Sequence, residues 1–434
     1  MLGAFASAFR TPDLRKKLLF VLMVIVIFRA GSQIPAPGVD VANVQECING
    51  VKSGSGQGLY NLVNLFSGGA LLKLTIFALG IMPYITASII LQLLVVVIPR
   101  LEALKNEGQA GQTKITQYTR YLTLGLAVLQ ATGIVALARS KNLLQGCSQD
   151  LLHDDSTKTF LVMVVTMTAG TAVIMWLGEL ITERGIGNGM SILIFTQVIA
   201  TFPATMWSVK QDHGWWMFTI VTVIGLAIMA AVIFIEQAQR RIPVQYARRM
   251  VGRRMFGGSS TYIPLKVNQA GVIPVIFASS LLYLPAMAAQ FNQNSKSRWV
   301  TWINDYLVRG DHPLYMAVFF LLIVFFTYFY VSITFNPHEV ADNMKKYGGF
   351  IPGIRAGKPT EDYLSYVLSR ITLPGSLYLG LIALIPLIAL ALINANQNFP
   401  FGGTSILIMV GVALDTVKQI ESQLQQRNYE GFLR

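Results

Sequence analysis

Ten stretches of this chain are apolar for long enough to cross a lipid bilayer, and no other feature limits its fold as strongly. A helix rises about 1.5 Å per residue, so roughly 20 apolar residues span the hydrocarbon core. Such runs lie near residues 18–34, 74–98, 118–138, 159–181, 188–207, 214–236, 269–290, 313–335, 371–393 and 402–420. Lipid offers no hydrogen-bond partners, so each run must satisfy its own backbone. An all-α polytopic membrane protein is the expected fold. Composition agrees, because only 13% of the residues are charged, against about 25% in soluble domains. The first run, Leu18 to Ile34, follows basic residues but continues into Pro35, Pro37 and Gly38 without a small-residue cleavage site. It is expected to be a retained span rather than a signal peptide.

The formal net charge is +13, which in a soluble chain would suggest nucleic acid. In a membrane chain the same excess reports topology, since Lys and Arg collect on cytoplasmic loops. With the N-terminus inside, segments 1–17, 99–117, 182–189, 237–268, 336–370 and the tail, with flanking helix ends, hold 24 of the 34 Lys and Arg. The opposite loops hold 8, a bias that an even number of spans with both ends inside fits well. Two of the inner loops are long and basic. One carries Arg240, Arg241, Arg248, Arg249, Arg253, Arg254 and Lys266; the other carries Lys345, Lys346, Arg355, Lys358 and Arg370. Retention of topology is one reading of them, and docking of a large acidic partner is the other.

A midpoint near residue 210 divides the spans five and five. An odd number per half inverts the halves relative to one another, an arrangement that builds pathways at the midplane. The expected organisation is an inner segment 1–17, a first half 18–207, a second half 208–420 with inner loops 237–268 and 336–370, and an inner tail 421–434.

Enzyme signatures are missing from the sequence: it has no HExxH, GxSxG or P-loop. The four histidines, His153, His213, His312 and His338, are scattered over loops, so neither a metal nor another cofactor is expected. The spans carry almost no ionisable group at mid-depth apart from Arg29 near the outer end of the first, which weighs against an ion-coupled transporter. Cys47 and Cys147 both fall in outer loops; a disulfide is open to them, but two unpaired thiols is the plainer expectation.

One segment fits no span. Leu59 to Leu72, LYNLVNLFSGGALL, is apolar but short, and Gly68-Gly69 interrupts it. It is either an interfacial amphipathic helix or a short re-entrant helix in a central cavity. Asn61 and Asn64 share a helical face, which suits a wet cavity. Gly80 and Pro83, Pro274 and Pro285, and Pro374 and Pro386 fall within spans and give helices that can bend.

Several long stretches carry a family resemblance: LFSGGALLKLTIFALGIMPYITASIILQLL (65–94), GELITERGIGNGMSILIF (178–195), QRRIPVQYARR (239–249), LKVNQAGVIPVIFASS (265–280), GGFIPGIRAGKPT (348–360) and FGGTSILI (401–408). In these the chain closely resembles the SecY family, channel-forming subunits of the bacterial Sec translocon. The resemblance implies ten helices in two inverted five-helix halves around an hourglass pore, closed by a plug helix over about 60–71. That plug would include Tyr60, Asn61, Asn64, Leu65, Phe66, Ser67, Gly68 and Gly69. An apolar ring maps onto Ile81, Ile85, Ile194, Ile276 and Ile408, with Ile192 one register away from Ile194. A lateral gate toward lipid maps onto Thr86, Gln92 and Leu284. Arg240, Arg241 and Arg355 match residues that engage cytosolic partners. The implied partners are SecE and SecG, the SecA motor ATPase, the ribosome, signal-bearing polypeptides and membrane lipid, with no nucleic-acid function beyond ribosome docking. The implied place is the bacterial inner membrane, with the plastid thylakoid as the alternative. The implied activity is passage of unfolded secretory chains and sideways release of apolar segments, without catalysis. A small-solute transporter and an intramembrane enzyme are the rival readings.

Overall fold

The computed structural model describes residues 9–51, 69–71, 73–139, 151–154, 156–246, 249–251, 254–256, 260–291, 298–303, 306–307, 312–393 and 403–431. Each expected apolar run carries a helix. In chain order these are α1 (Pro12–Gly31), α2 (Val41–Val51), α3 (Met82–Val97), α4 (Pro99–Asn106), α5 (Gln109–Arg139), α6 (Thr157–Arg184) and α7 (Gly189–Gln237). After an interlude of strands follow α8 (Ile273–Phe291), α9 (Arg298–Ile303), α10 (Pro313–Thr334), α11 (Pro337–Lys346), α12 (Lys358–Ile393) and α13 (Gly403–Gly431). Among the described residues, α5, α6, the second limb of α7, α10 and α12 are long and apolar enough to cross a membrane on their own.

Local chemistry sets where these helices start and stop. Proline occupies the first turn of α1, α3, α4 and α10, where its missing N–H costs nothing. Asn188 caps α7 by accepting from the Met190 N–H at 3.1 Å. Ile98, immediately before Pro99, is forced into extended backbone (φ −100°, ψ 111°), and there α3 and α4 meet at 99°. Runs 188–207 and 214–236 are the two limbs of α7, which breaks at Gly214 with φ 78°. Cys47, buried on α2, is disulfide-bonded. The plainer expectation of unpaired thiols is therefore corrected; Cys147 lies outside the described residues.

The run at 74–98 is not one helix. Residues 74–81 are turns, and α3 begins only at Met82. Gly80 at φ 57° and Pro83 in the first turn prevent the helix from extending outward. An all-apolar stretch hides such a break from any reading of periodicity.

Polar side chains in the spans are mostly satisfied locally. The hydroxyls of Thr123, Thr171 and Thr327 each donate to the carbonyl four residues back, at 2.7, 3.2 and 2.6 Å. Large apolar residues such as Trp216, Phe234, Val97 and Leu321 point outward and stay exposed, as a lipid-facing surface requires. Near the break in α7, the Lys210 ammonium sits 4.0 Å from the ring centres of both Trp207 and Trp215. Amphipathic rings in such a belt mark a membrane interface.

On the basic side, the segment between α7 and α8 forms strands. β1 (Gln239–Tyr246) pairs antiparallel with β4 (Ser260–Lys266), from Gln239 opposite Lys266 to Gln245 opposite Ser260. β2 (Arg249–Val251) and β3 (Arg254–Phe256) form a separate pair, and β5 (Gly349–Phe350) adds to the free edge of β1. Ile242, Val244 and Leu265 pack under this sheet with Met344, Ile351, Leu364 and Val367. The two basic loops are therefore one folded unit on the ends of the helices.

Candidate pore, seam and docking surface

Helices from both halves of the chain converge on one buried cluster. Ile81 is 1% exposed, Ile85 6%, Ile194 5%, Ile276 6% and Ile408 0%, and all five belong to it. Ile81 ends the irregular stretch before α3, and the Ile85 N–H donates to its carbonyl at 3.1 Å, so the two stack one turn apart. Ile194 comes from the first limb of α7, Ile276 from the first turn of α8 and Ile408 from the first turns of α13. Ile192 is as buried as Ile194 and lies in the same cluster. Burial gives no ground for preferring one over the other.

Of the expected plug, residues 69–71 are described, and of its named residues Gly69 alone. It adopts φ 87°, a left-handed backbone that favours glycine, and Ala70 and Leu71 after it are buried. Tyr60, Asn61, Asn64, Leu65, Phe66, Ser67 and Gly68 lie outside the described residues.

A seam runs where α8 meets both α3 and α5. Thr86 is buried on α3, its hydroxyl donating to the Met82 carbonyl at 3.0 Å. Gln92, half-buried two turns further on, donates to the Ser88 hydroxyl at 3.5 Å. Leu284 lies within α8, and its side chain is outside the description.

Arg240 and Arg241 are exposed on β1, with the Arg241 guanidinium 4.8 Å from the centre of the Tyr262 ring. Arg355 is exposed between Gly353 and Gly357, which take φ 84° and 102°. Its carbonyl accepts from the Thr360 hydroxyl at 2.8 Å. The backbone of that loop is thus held while the side chain is exposed to solvent.

Beside it, His338 on α11 lies 2.9 Å from a Glu361 carboxylate oxygen and 3.6 Å from one of Asp342. The hydrogen bond to Glu361, aided by both carboxylate charges, pushes the imidazole above its ordinary value of 6.5. A raised folded value means that this contact helps the fold fully below the ordinary value. The help is lost as pH rises through the raised one. An NMR titration of His338 is expected to show this rise, and Glu361→Gln is expected to return it toward the ordinary value.

Two polar pairings lay beyond sequence reasoning. Arg120 on α5 makes a bidentate contact with Glu179 on α6, both hydrogen bonds at 2.8 Å, and also donates to Gln117 at 2.9 Å. This pair joins two spans near their basic ends, where partial burial gives a fork-to-carboxylate contact its strength. Glu236, buried at the end of α7, accepts from the Asn268 side-chain amide. The residues of each pair are 59 and 32 positions apart, and no spacing rule links them.

Fold and site define a class: a multi-pass α-helical membrane protein whose helices from both halves pack on one buried apolar cluster. A model of the SecY family matches residues 75–417, and the chain belongs to that family. It is 70% identical to the protein translocase subunit SecY of Streptomyces scabiei, over the full length of both chains. With its counterpart from Mycobacterium tuberculosis it shares 61% identity over the same full extent. Among solved structures it resembles one described as a protein-conducting channel, at a TM-score of 0.64 and 19% identity, over 94% of this chain and 91% of that one. It also resembles Sec61 in a canine ribosome–channel complex, at a TM-score of 0.61 and 18% identity, over 94% and 91%. The fold is that of SecY and Sec61 channels, and the family is one of channels rather than enzymes.

Proposed function

We infer that this chain is the channel subunit through which unfolded secretory polypeptides cross the membrane, and from which apolar segments leave sideways into lipid. The observation that carries this inference is the convergence of Ile81, Ile85, Ile194, Ile276 and Ile408 in one buried cluster. A narrow ring of branched aliphatic side chains excludes water by dewetting, yet offers no fixed polar contacts to a passing chain. It can therefore seal at rest and conform to many sequences. The seam between α8 and the pair α3 and α5 is the lateral gate, with Thr86, Gln92 and Leu284 along it. A segment reaching it gains a few tenths of a kcal/mol for each central Leu, Ile or Phe that enters lipid. The segment 60–71 is the plug, rooted at Gly69 beside buried Ala70 and Leu71.

The chain has no nucleotide-binding motif, so the driving energy comes from a partner. Arg240, Arg241 and Arg355 form the docking surface for SecA and for the ribosome, as relatives solved on ribosomes suggest. SecE and SecG complete the complex in the bacterial inner membrane, with both termini in the cytoplasm. In proteoliposomes containing the complex, SecA and ATP are expected to drive a precursor into a protease-protected state, without uptake of small solutes. A lack of protected precursor under conditions where the complex is intact would remove this reading.

A further inference from the structure

The β1–β4 hairpin stands on the two helices that it connects, and its base is closed by a hydrogen bond. Glu236 is the penultimate residue of α7, and β1 begins three residues later. Asn268 lies between β4 and α8, and is 2% exposed. Its amide donates to the Glu236 carboxylate at 2.5 Å and to the Gly271 carbonyl at 3.1 Å. The backbone ladder runs into this contact, since the Val267 N–H donates to the Ala238 carbonyl at 3.0 Å. Lys266, the last residue of β4 and immediately before Val267, reaches Asp415 of α13 at 3.5 Å.

The root of α8 is also wedged from a third side. Gly375 of α12 lies so close that a Cβ there would stand 2.5 Å from the Val267 carbonyl oxygen. Any displacement of the hairpin is therefore passed to residues 267–271, and from them to α8.

The polar groups at this root are incompletely paired. The Asn268 side-chain oxygen is buried without a partner, as is the hydroxyl of Tyr378, three residues beyond Gly375 on the same face of α12. One can accept a hydrogen bond and the other can donate one. Buried polar groups are rarely left in this state. A second arrangement of the root, with Asn268 released from Glu236, would have partners available.

We propose that the Glu236–Asn268 contact is a positioning clasp that holds α8 against α3 and α5, and that docking on the hairpin acts on α8 by loosening it. This rests on α8 being one wall of the lateral gate. Glu236 and Asn268 touch no substrate; they set the resting balance of the gate. Without the acceptor, α8 parts more readily and the channel admits chains whose signal is too weak to open it.

Proteoliposomes carrying the complete complex, SecA and ATP are given an intact precursor and one with a defective signal sequence. For Glu236→Met, which keeps the bulk but removes the acceptor, the ratio of defective to intact precursor translocated is expected to rise roughly tenfold. Glu236→Gln retains an acceptor for the Asn268 amide and is expected to restore the ratio. A Met variant with the wild-type ratio overturns the proposal, whether both precursors cross normally or both fall together through poor folding. Failure of the wild-type complex to prefer the intact precursor would instead refute the channel reading on which the clasp depends.

Discussion

Replacing Ile81 and Ile85 together by glycine is expected to turn the resting channel from an ion-tight membrane protein into a leaking one. The two side chains stack one turn apart in a cluster that excludes water. Their removal takes away eight carbons from the proposed constriction and leaves room for a continuous water column, which ends dewetting as a seal. In planar bilayers the resting conductance is expected to rise at least roughly tenfold over wild type. Truncating a buried aliphatic side chain costs about 2–5 kcal/mol, so a folding defect is the competing outcome. Ile81→Val with Ile85→Val resolves this, because each Ile→Val change costs only about 0.5–1.5 kcal/mol and keeps the site apolar. The valine pair is expected to stay tight. A folded glycine pair that did not leak would mean that the seal lies elsewhere.

Reversing the charge at Arg355 is expected to uncouple the channel from its motor while leaving the fold intact. Arg355 is exposed, and the loop that presents it is shaped by Gly353, Gly357 and the Thr360 hydroxyl rather than by its own side chain. In the docking role proposed for it, the guanidinium would meet a partner without supporting the structure. A buried, hydrogen-bonded charge pair at an interface loses 2–5 kcal/mol or more when one member is removed. SecA-driven translocation by Arg355→Glu is accordingly expected to fall at least roughly tenfold. Thermal unfolding in detergent is expected to stay within about 0.5 kcal/mol of wild type, as for an ordinary surface change. Equal losses of stability and transport would make Arg355 a structural residue.

The spans were legible in the sequence because lipid leaves the chain little freedom: a helix there must be apolar along its length. The ring residues were legible only through family resemblance, since isoleucine is common throughout and composition singles out none of the five. Other features depended on juxtaposition. Arg120 and Glu179 meet across two helices, and a count of charges in spans 118–138 and 159–181 does not reveal that they are partners. The hairpin left a trace in the sequence, Ile242 and Val244 alternating with Arg241, Pro243 and Gln245 in QRRIPVQY, but the density of arginines made the segment read as a basic loop. Cys47 shows the same limit, because a sequence gives the spacing of two cysteines but not the distance between them.

The central claim is that a translocating chain passes through the isoleucine waist, and a crosslinking scan tests it most directly. A photoreactive amino acid is placed in turn at positions 81, 85, 194, 276 and 408, and at Val165 and Phe234, whose side chains are exposed on the helix surface. A precursor is then stalled midway by a folded C-terminal domain. Adducts to the stalled chain are expected at the five waist positions and not at the two surface positions. Adducts at Val165 or Phe234, with none at the waist, would contradict the account.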